Sequence, residues 1–179
     1  MSKRIIWLRA VNVGGAKLPM AELRVLMADL GATEVETYIQ SGNAVCVPPG
    51  KPEDFDRALE KAIEAKYGFF RESISRTPAE VKKALKAYPF DSEDIAGEPK
   101  RAYISFMTEP PTAAAIEKAR TYETGDDAWE VIGSELHIFY AGGAGKPTMK
   151  SASIGRALKV PATARNLTTI RKVLDLAGA

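Results

Sequence analysis

The order of strand-like and helix-like segments in the N-terminal half most constrains what this chain can fold into. Four segments have the apolar or alternating pattern of strands, and two repeat apolar residues at helical spacing. In chain order these segments cover residues 4–10, 19–30, 34–40, 43–47, 52–67 and 69–76. The order β-α-β-β-α-β is that of a split βαβ unit, the ferredoxin-like arrangement of an antiparallel sheet with two helices.

A similar order recurs after residue 100. The segments cover residues 101–107, 110–120, 128–132, 135–140, 149–158 and 161–165. We therefore predict the α+β class, with two tandem ferredoxin-like (βαββαβ, α/β-plait) units that have antiparallel sheets. A further C-terminal helix is predicted after Asn166, because Asn is a favoured N-cap residue. The predicted bounds are residues 1–77 for the first unit, 78–100 for a short helix and acidic linker, and 101–179 for the second unit with the C-terminal helix.

Two polar, glycine-bearing segments are expected to meet at one edge of the first sheet. In a split βαβ unit, the end of the first strand lies at the same edge as the hairpin between the second and third strands. This edge brings together Arg9, Asn12, Gly14, Gly15 and Lys17 with Gln40, Ser41, Gly42 and Asn43. Exposed backbone N–H groups and basic side chains suit such a rim to an anion. The alternative, which stays open, is that these residues only form turns.

Basic residues concentrate at both ends of the chain, although its net charge is only +2. Residues 1–24 hold five Lys and Arg against Glu22, and residues 142–179 hold seven against Asp175. Either these ends neutralise an acidic middle within the fold, or they bind an anionic partner such as the backbone of a nucleic acid. Base stacking is not expected, because the third strand, NAVCV, contributes no aromatic residue beside Trp7.

The segment AGGAGKPT, residues 141–148, has the composition of a phosphate-binding loop but not its spacing. Tyr140 stands where that motif needs Gly, and Pro147 stands where it needs Ser or Thr. We therefore reject nucleotide hydrolysis through this segment. It is either a flexible surface loop or a looser anion contact through Lys146 or Lys150.

A second polar segment, TARNLTTIRK at residues 163–172, begins the C-terminal helix. Polar and basic groups at the start of a helix can bind phosphate, which makes Arg165, Asn166 and Lys172 candidate ligand-binding residues. The alternative is a well-capped surface helix with no ligand.

The residues that most often carry catalysis or bind metals are scarce. His137 alternates with apolar residues in a strand and is predicted to be half-buried, and Cys46 is predicted to be a buried, inert thiol. We predict no metal, no cofactor and no membrane span, and no catalytic constellation is recognisable, so the question of enzymatic activity stays open. A single Cys excludes an internal disulfide and favours a cytoplasmic protein.

Five segments together resemble a bacterial family, catalogued as domain of unknown function 1697. They are LRAVNVGG, PMAELRVLMADLG, VETYIQSGNAV, ELHIFY and PATARNLTTIRKVLDL, and the resemblance runs from about residue 4 to residue 177. It implies two tandem ferredoxin-like domains and little about function, because the family is uncharacterised. The recurring polar positions of the family correspond to Arg9, Asn12, Gly14, Gly15, Gln40, Ser41, Gly42, Asn43, Arg165 and Asn166.

The chain departs from the family pattern at three places. Ala10 stands where the family usually has Gly, and Ala44-Val45-Cys46 replaces a more aliphatic and aromatic run. Leu167 stands where an aromatic residue is common, which removes a stacking surface and weakens any hypothesis of base stacking.

The sequence therefore predicts a cytoplasmic binding protein for a small anionic or phosphorylated ligand at the rim. The alternative is salt-sensitive, sequence-independent binding of nucleic acid by the basic ends. The oligomeric state and the identity of the ligand are left open. The predicted ligand-binding residues are Arg9, Asn12, Gly14, Gly15, Lys17, Gln40, Ser41, Gly42, Asn43, Lys150, Arg165, Asn166 and Lys172.

Overall fold

A computed structural model describes residues 2–90 and 100–179. The strands are β1 (Arg4–Leu8), β2 (Thr33–Tyr38), β3 (Asn43–Val47), β4 (Ser73–Arg76), β5 (Ala102–Met107), β6 (Ala128–Ile132), β7 (Glu135–Phe139) and β8 (Ala162–Asn166). The helices are α1 (Met20–Asp29), α2 (Pro52–Tyr67), α3 (Pro78–Lys86), α4 (Ala113–Arg120), α5 (Ser151–Leu158) and α6 (Leu167–Leu176). Most of the predicted acidic linker lies outside the described residues. The described elements confirm the predicted α+β class.

The chain divides into two compact units. One comprises Met1–Lys83 together with Ile170–Ala179, and the other comprises Ala84–Thr169. The predicted second unit includes the whole C-terminal helix, whereas most of α6 groups here with the first unit. The second sheet consists of β5 to β8, so the βαββαβ order of the second unit is complete before α6 begins.

The first unit contains a four-stranded antiparallel sheet with the strand order β2-β3-β1-β4. Trp7 of β1 lies opposite Asn43 of β3 on one side and Ile74 of β4 on the other. The predicted pairing of the third strand with the first is therefore confirmed. This pairing places the end of β1 and the β2–β3 turn at the same edge of the sheet.

One face of this sheet packs against α1 and α2. Both helices present apolar residues at helical spacing, and burial of that face is what stabilises them. The buried cluster includes Ile6, Leu8, Ala44 and Cys46 from the strands and Leu23, Met27, Phe55, Leu59 and Ile63 from the helices. Cys46 is buried, as predicted. Burial raises the pKa of its thiol to about 12, which disfavours the reactive thiolate.

A buried polar network also attaches α2 to β4. The Asp56 carboxylate accepts hydrogen bonds from the hydroxyls of Ser73 (2.9 Å) and Ser75 (2.6 Å). Glu60 accepts a bond from the backbone N–H of Ser73 (2.9 Å), and its other oxygen pairs with Arg57 at 2.8 Å. Burial raises the pKa of both carboxyl groups, and the donors around them offset part of that cost.

The second unit repeats the same element order around a sheet with the strand order β6-β7-β5-β8. Ile132 pairs directly with Glu135, which leaves Gly133 and Ser134 as the predicted two-residue turn. The short strand β8 pairs with β5 from Tyr103 to Met107. The predicted extended piece at residues 161–165 is therefore a strand of this sheet.

Three predicted strand boundaries are wrong. β1 ends at Leu8, because Ala10 and Asn12 have positive φ angles of 50° and 56° that no strand can continue through. The pair Tyr38–Asn43 closes the β2–β3 hairpin, so its turn has four residues and not Ser41-Gly42 alone. β4 begins at Ser73, where the hydrogen bonds to α2 start, and not at residue 69.

Candidate functional site

A cleft of about 460 Å³ opens where the loop after β1 meets the β2–β3 turn. Its lining consists of Asn12, Val13, Gly14, Gly15, Ala16, Lys17, Pro19 and Gln40, and we call it the loop cleft. The volume lies within the range of small-molecule sites. Five of the predicted ligand-binding residues, Asn12, Gly14, Gly15, Lys17 and Gln40, therefore lie around one cavity.

The side chain of Asn12 ties together the two segments that form the loop cleft. Its Nδ2 donates to the backbone oxygens of Leu18 (2.9 Å) and Gln40 (2.5 Å). Its Oδ1 accepts from the backbone N–H of Leu18 (2.9 Å). Asn also tolerates the left-handed backbone conformation that it adopts here. Asn12 therefore shapes the cleft, and these bonds already engage both its Oδ1 and its Nδ2.

Gly42 allows the turn to approach the end of β1 closely. The backbone N–H of Leu8 donates to the Gly42 oxygen at 2.8 Å. A Cβ atom at position 42 would lie 2.5 Å from Cγ2 of Val11 and 2.9 Å from Cβ of Leu8, which real structures do not tolerate. Gly42 is therefore required for packing. It is not among the residues that line the loop cleft.

Backbone N–H groups of the loop provide unused donors. Among the described residues, the N–H groups of Val13, Gly14 and Gly15 find no acceptor, whereas those of Asn12, Ala16 and Lys17 bond within the loop. Gly14 and Gly15 both have positive φ, 57° and 88°, and open space surrounds the position of a Cβ at each. Consecutive N–H groups in such conformations form concave sites that suit anions.

Lys17 is the basic side chain of the loop cleft. It is exposed, and it forms no ion pair with any residue in the described part of the chain. Its ammonium group is therefore available to a ligand. Lys17 and the residues of the three N–H groups belong to the same lining, which suits an anion.

Arg9, Ser41 and Asn43 do not line the loop cleft. Nη1 of Arg9 lies 3.2 Å from both carboxylate oxygens of Glu72, at the β4 side of the edge. Asn43 is buried and donates to the backbone oxygen of Tyr38 and the hydroxyl of Ser41, both at 2.9 Å. The bonds of Ser41 and Asn43 hold the β2–β3 turn in shape, as the turn alternative predicts for them.

The remaining predicted residues lie elsewhere in the chain. Arg165 of β8 is buried and donates to the Thr163 hydroxyl (2.6 Å) and the Ala164 oxygen (2.8 Å), and burial lowers its pKa to about 10. Asn166 accepts from the backbone N–H of Thr169 (2.7 Å), which confirms it as the cap of α6. Lys150, at the start of α5, and Lys172 of α6 are exposed. A ligand contact by these four residues stays a prediction.

The glycine-rich loop at residues 141–148 is organised around an internal anion. The Asp127 carboxylate accepts from the backbone N–H groups of Ala141 (2.8 Å), Thr148 (2.6 Å) and Met149 (2.9 Å). The N–H groups of Gly143, Ala144 and Lys146 bond to backbone oxygens instead, so these donors of the loop are also engaged within the fold. This agrees with the rejection of nucleotide hydrolysis on sequence grounds.

His137 is fully buried, whereas the sequence predicts a half-buried residue. Its ring meets Tyr88 edge-on at 5.8 Å, and neither ring nitrogen has a hydrogen-bond partner among the described residues. Burial lowers the pKa of His137 to about 4, against a weaker opposing effect of Glu130. The imidazole is therefore neutral and inaccessible, which makes it unsuited to act as a general base.

The basic residues at the start of the chain are largely paired with carboxylates of the same unit. Lys3 lies 3.2 Å from Glu34, and Arg4 lies 3.7 Å from Glu80. Arg9 and Glu72 form a third pair. These pairs favour internal neutralisation over a shared basic surface at this end of the chain.

Sequence reasoning missed the apolar residues of the site. Val13 lines the loop cleft and is 58% exposed, and Ile39, next to Gln40, is 50% exposed. Ile39 also has a φ of 48°, which is rare for a β-branched residue. Val13 inside a predicted loop was the available signal, since turns usually carry small or polar residues. Ile39 gave no signal, because it falls within the predicted strand at residues 34–40.

Within the described residues, no helix is long and apolar enough to cross a bilayer. The same residues contain no group of three or more His, Cys, Asp and Glu that could hold a metal ion.

Comparisons with known proteins identify relatives but no ligand. The family model described as Protein of unknown function (DUF1697) matches residues 1–137, which confirms the resemblance that the sequence motifs indicate. The fold is similar to that of the conserved bacterial protein SP0830 from Streptococcus pneumoniae, with a TM-score of 0.73, 25% identity and coverage of 98% of each chain. Among curated proteins there is no match.

Proposed function

Because the chain belongs to the family described as Protein of unknown function (DUF1697), we propose its function from the loop cleft: the protein binds a small anionic or phosphorylated ligand there. The observation that carries this proposal is the set of N–H groups at Val13, Gly14 and Gly15, which lack acceptors among the described residues. These residues are exposed, so their N–H groups reach water, and acceptor atoms of a ligand can replace that water. An oxyanion can accept several of them at once.

Lys17 supplies the charge that distinguishes an anion from a neutral acceptor. It lies in the same lining as the three N–H groups, and charge-assisted hydrogen bonds are about twice as strong as neutral ones. Arg9 is not required for this function, because its guanidinium is already paired with Glu72. We therefore assign Lys17, and not Arg9, as the main basic contact.

We also infer that both units are ferredoxin-like and that the protein acts in the cytoplasm. The strand orders β2-β3-β1-β4 and β6-β7-β5-β8 support the first inference. The presence of a single, buried Cys supports the second, since it leaves no internal disulfide to form.

Titration calorimetry of the full chain with inorganic phosphate, phosphosugars and nucleotides tests the function. We expect saturable binding of at least one of them and a loss of about tenfold in affinity for Lys17→Ala, because one charge-assisted contact is removed. Lys61→Ala is the matched control, since Lys61 is an exposed lysine on α2 away from the loop cleft. Equal affinities for the two variants, or no binding of any anion, would refute the proposal.

A further inference from the structure

Two large, exposed apolar residues are the chain neighbours of Asn12 and Gln40, the two residues whose hydrogen bond joins the loop to the β2–β3 turn. Val13 follows Asn12 in the chain and Ile39 precedes Gln40, and Asn12 donates to the Gln40 oxygen. Val13 is 58% exposed and Ile39 is 50% exposed. Single exposed apolar residues are ordinary. Val13 lines the loop cleft beside the polar donors, and Ile39 is the chain neighbour of Gln40, which also lines it. This part of the surface therefore has both apolar and anion-binding character.

Ile39 is also in an unfavourable backbone conformation. Its φ of 48° places the backbone of a β-branched residue in the left-handed region, which Asn and Gly adopt at lower cost. Half of the side chain is exposed, so packing in the fold offsets only part of this cost. A strained and exposed residue next to Gln40, which lines the cleft, is consistent with a contact made to something outside the chain.

The lining of the loop cleft is likewise more apolar than a bare anion requires. Val13, Ala16 and Pro19 contribute to it together with the donors of the loop. Apolar surface does not strengthen the binding of inorganic phosphate. A hydrocarbon group attached to the phosphate would bind more tightly there, because its burial removes apolar surface from water.

We propose that the ligand of the loop cleft is an organic oxyanion with an apolar group next to its charged head. The N–H groups of residues 13–15 and the Lys17 ammonium bind the head, and Val13 and Ile39 contact the apolar group. This inference rests on the proposed function, because it assigns a ligand class to the same cleft. An alkyl phosphate monoester is the simplest probe that has both parts.

Calorimetry with inorganic phosphate, methyl phosphate and n-butyl phosphate on the full chain tests the ligand class. Each buried methylene is worth about threefold to fourfold in affinity, so we expect butyl phosphate to bind at least about tenfold more tightly than methyl phosphate. Val13→Ser should reduce this preference at least about threefold. Val25→Ser is the matched control, because Val25 is 56% exposed on α1 and does not line the loop cleft.

A second variant, Ile39→Asn, keeps the test independent of folding defects. Asn favours positive φ, so this variant should unfold at a higher temperature than the wild type while it also loses the preference for butyl phosphate. A higher melting temperature together with a weaker preference would distinguish a ligand contact from a structural role.

The outcomes separate this inference from the function on which it rests. If no phosphate compound binds, both fall. If all three bind with equal affinity and Lys17→Ala weakens all of them, the function stands and the ligand class is overturned. A butyl preference that persists in both Val13→Ser and Ile39→Asn would also overturn it, because the apolar contact would then lie elsewhere.

Discussion

Asn12 is the residue on which the geometry of the loop cleft depends most. Its side chain makes three hydrogen bonds, two of them to the backbone of Leu18 and one to that of Gln40. It also has a φ of 56° that few other residue types accept. One residue therefore closes its own loop and fastens that loop to the neighbouring turn.

Replacement of Asn12 should destabilise the protein. We expect Asn12→Ala to lower the free energy of unfolding by about 4 kcal/mol, with about 1 kcal/mol for each of the three lost bonds and about 1 kcal/mol from the strained φ of Ala. Asn12→Gly removes the same bonds without that strain and should cost less. Urea unfolding measures both. A loss below about 0.5 kcal/mol for Asn12→Ala would contradict the role assigned to these bonds.

His137 predicts a distinct dependence of stability on pH. Its folded pKa of about 4 lies below its usual value of 6.5, so the unfolded chain binds more protons between these values. Stability contributed by neutral His137 is therefore present above pH 6.5 and is lost as the pH falls towards 4, by up to about 3 kcal/mol. We expect His137→Leu to abolish this loss and to stabilise the protein at neutral pH, because no unpaired imidazole remains buried.

Urea unfolding of the wild type and His137→Leu between pH 4 and pH 7 measures this effect as a difference. Asp56 and Glu60, whose pKa values are raised by burial, titrate in both proteins and cancel in that difference. Parallel stability curves for the two proteins would show that His137 does not control the acid response.

At the scale of elements, hydrophobic period and turn chemistry were sufficient to predict the order of strands and helices. α2 is observed over Pro52–Tyr67, as its apolar face and the helix-terminating Gly68 predict. Strand ends were less predictable, because positive φ at Ala10 and the hydrogen bonds that begin β4 depend on partners distant in sequence. The meeting of the two segments that line the loop cleft was predictable from topology. The site was not predictable at Val13 and Ile39, whose exposure only the folded chain reveals.

The loop at residues 141–148 illustrates how a carboxylate organises an element. Three backbone N–H groups converge on buried Asp127. Asp127→Asn should lower the free energy of unfolding by about 2 kcal/mol, because an amide NH₂ would replace one acceptor and leave donors unpaired. Asp126→Asn is the control, since Asp126 is exposed. If urea unfolding gives the same loss for both variants, Asp127 does not hold the loop.

At the scale of the whole molecule, the distribution of charge bears on the choice between a small ligand and a nucleic acid. The pairs Lys3–Glu34, Arg4–Glu80 and Arg9–Glu72 neutralise much of the basic N-terminal segment. The exposed cation of the loop cleft is a single lysine, which suits a small anion better than a polyanionic backbone.

We therefore expect duplex DNA and single-stranded RNA to bind weakly or not at all at about 50 mM salt, where backbone contacts are strongest. Fluorescence anisotropy with labelled oligonucleotides measures this directly. Binding that is tight at low salt and weakens steeply as salt is added would instead favour the nucleic-acid alternative, with the basic ends as its surface.

The most direct test of the loop cleft is an NMR titration of the full chain with inorganic phosphate, with backbone amide resonances as the readout. The N–H groups of Val13, Gly14 and Gly15 find no acceptor among the described residues, so hydrogen bonds to phosphate should shift these three resonances downfield in a saturable manner. Lys17→Ala should weaken the same response. If phosphate leaves these three amides unshifted, or shifts others while they stay in place, the loop cleft is not the anion site.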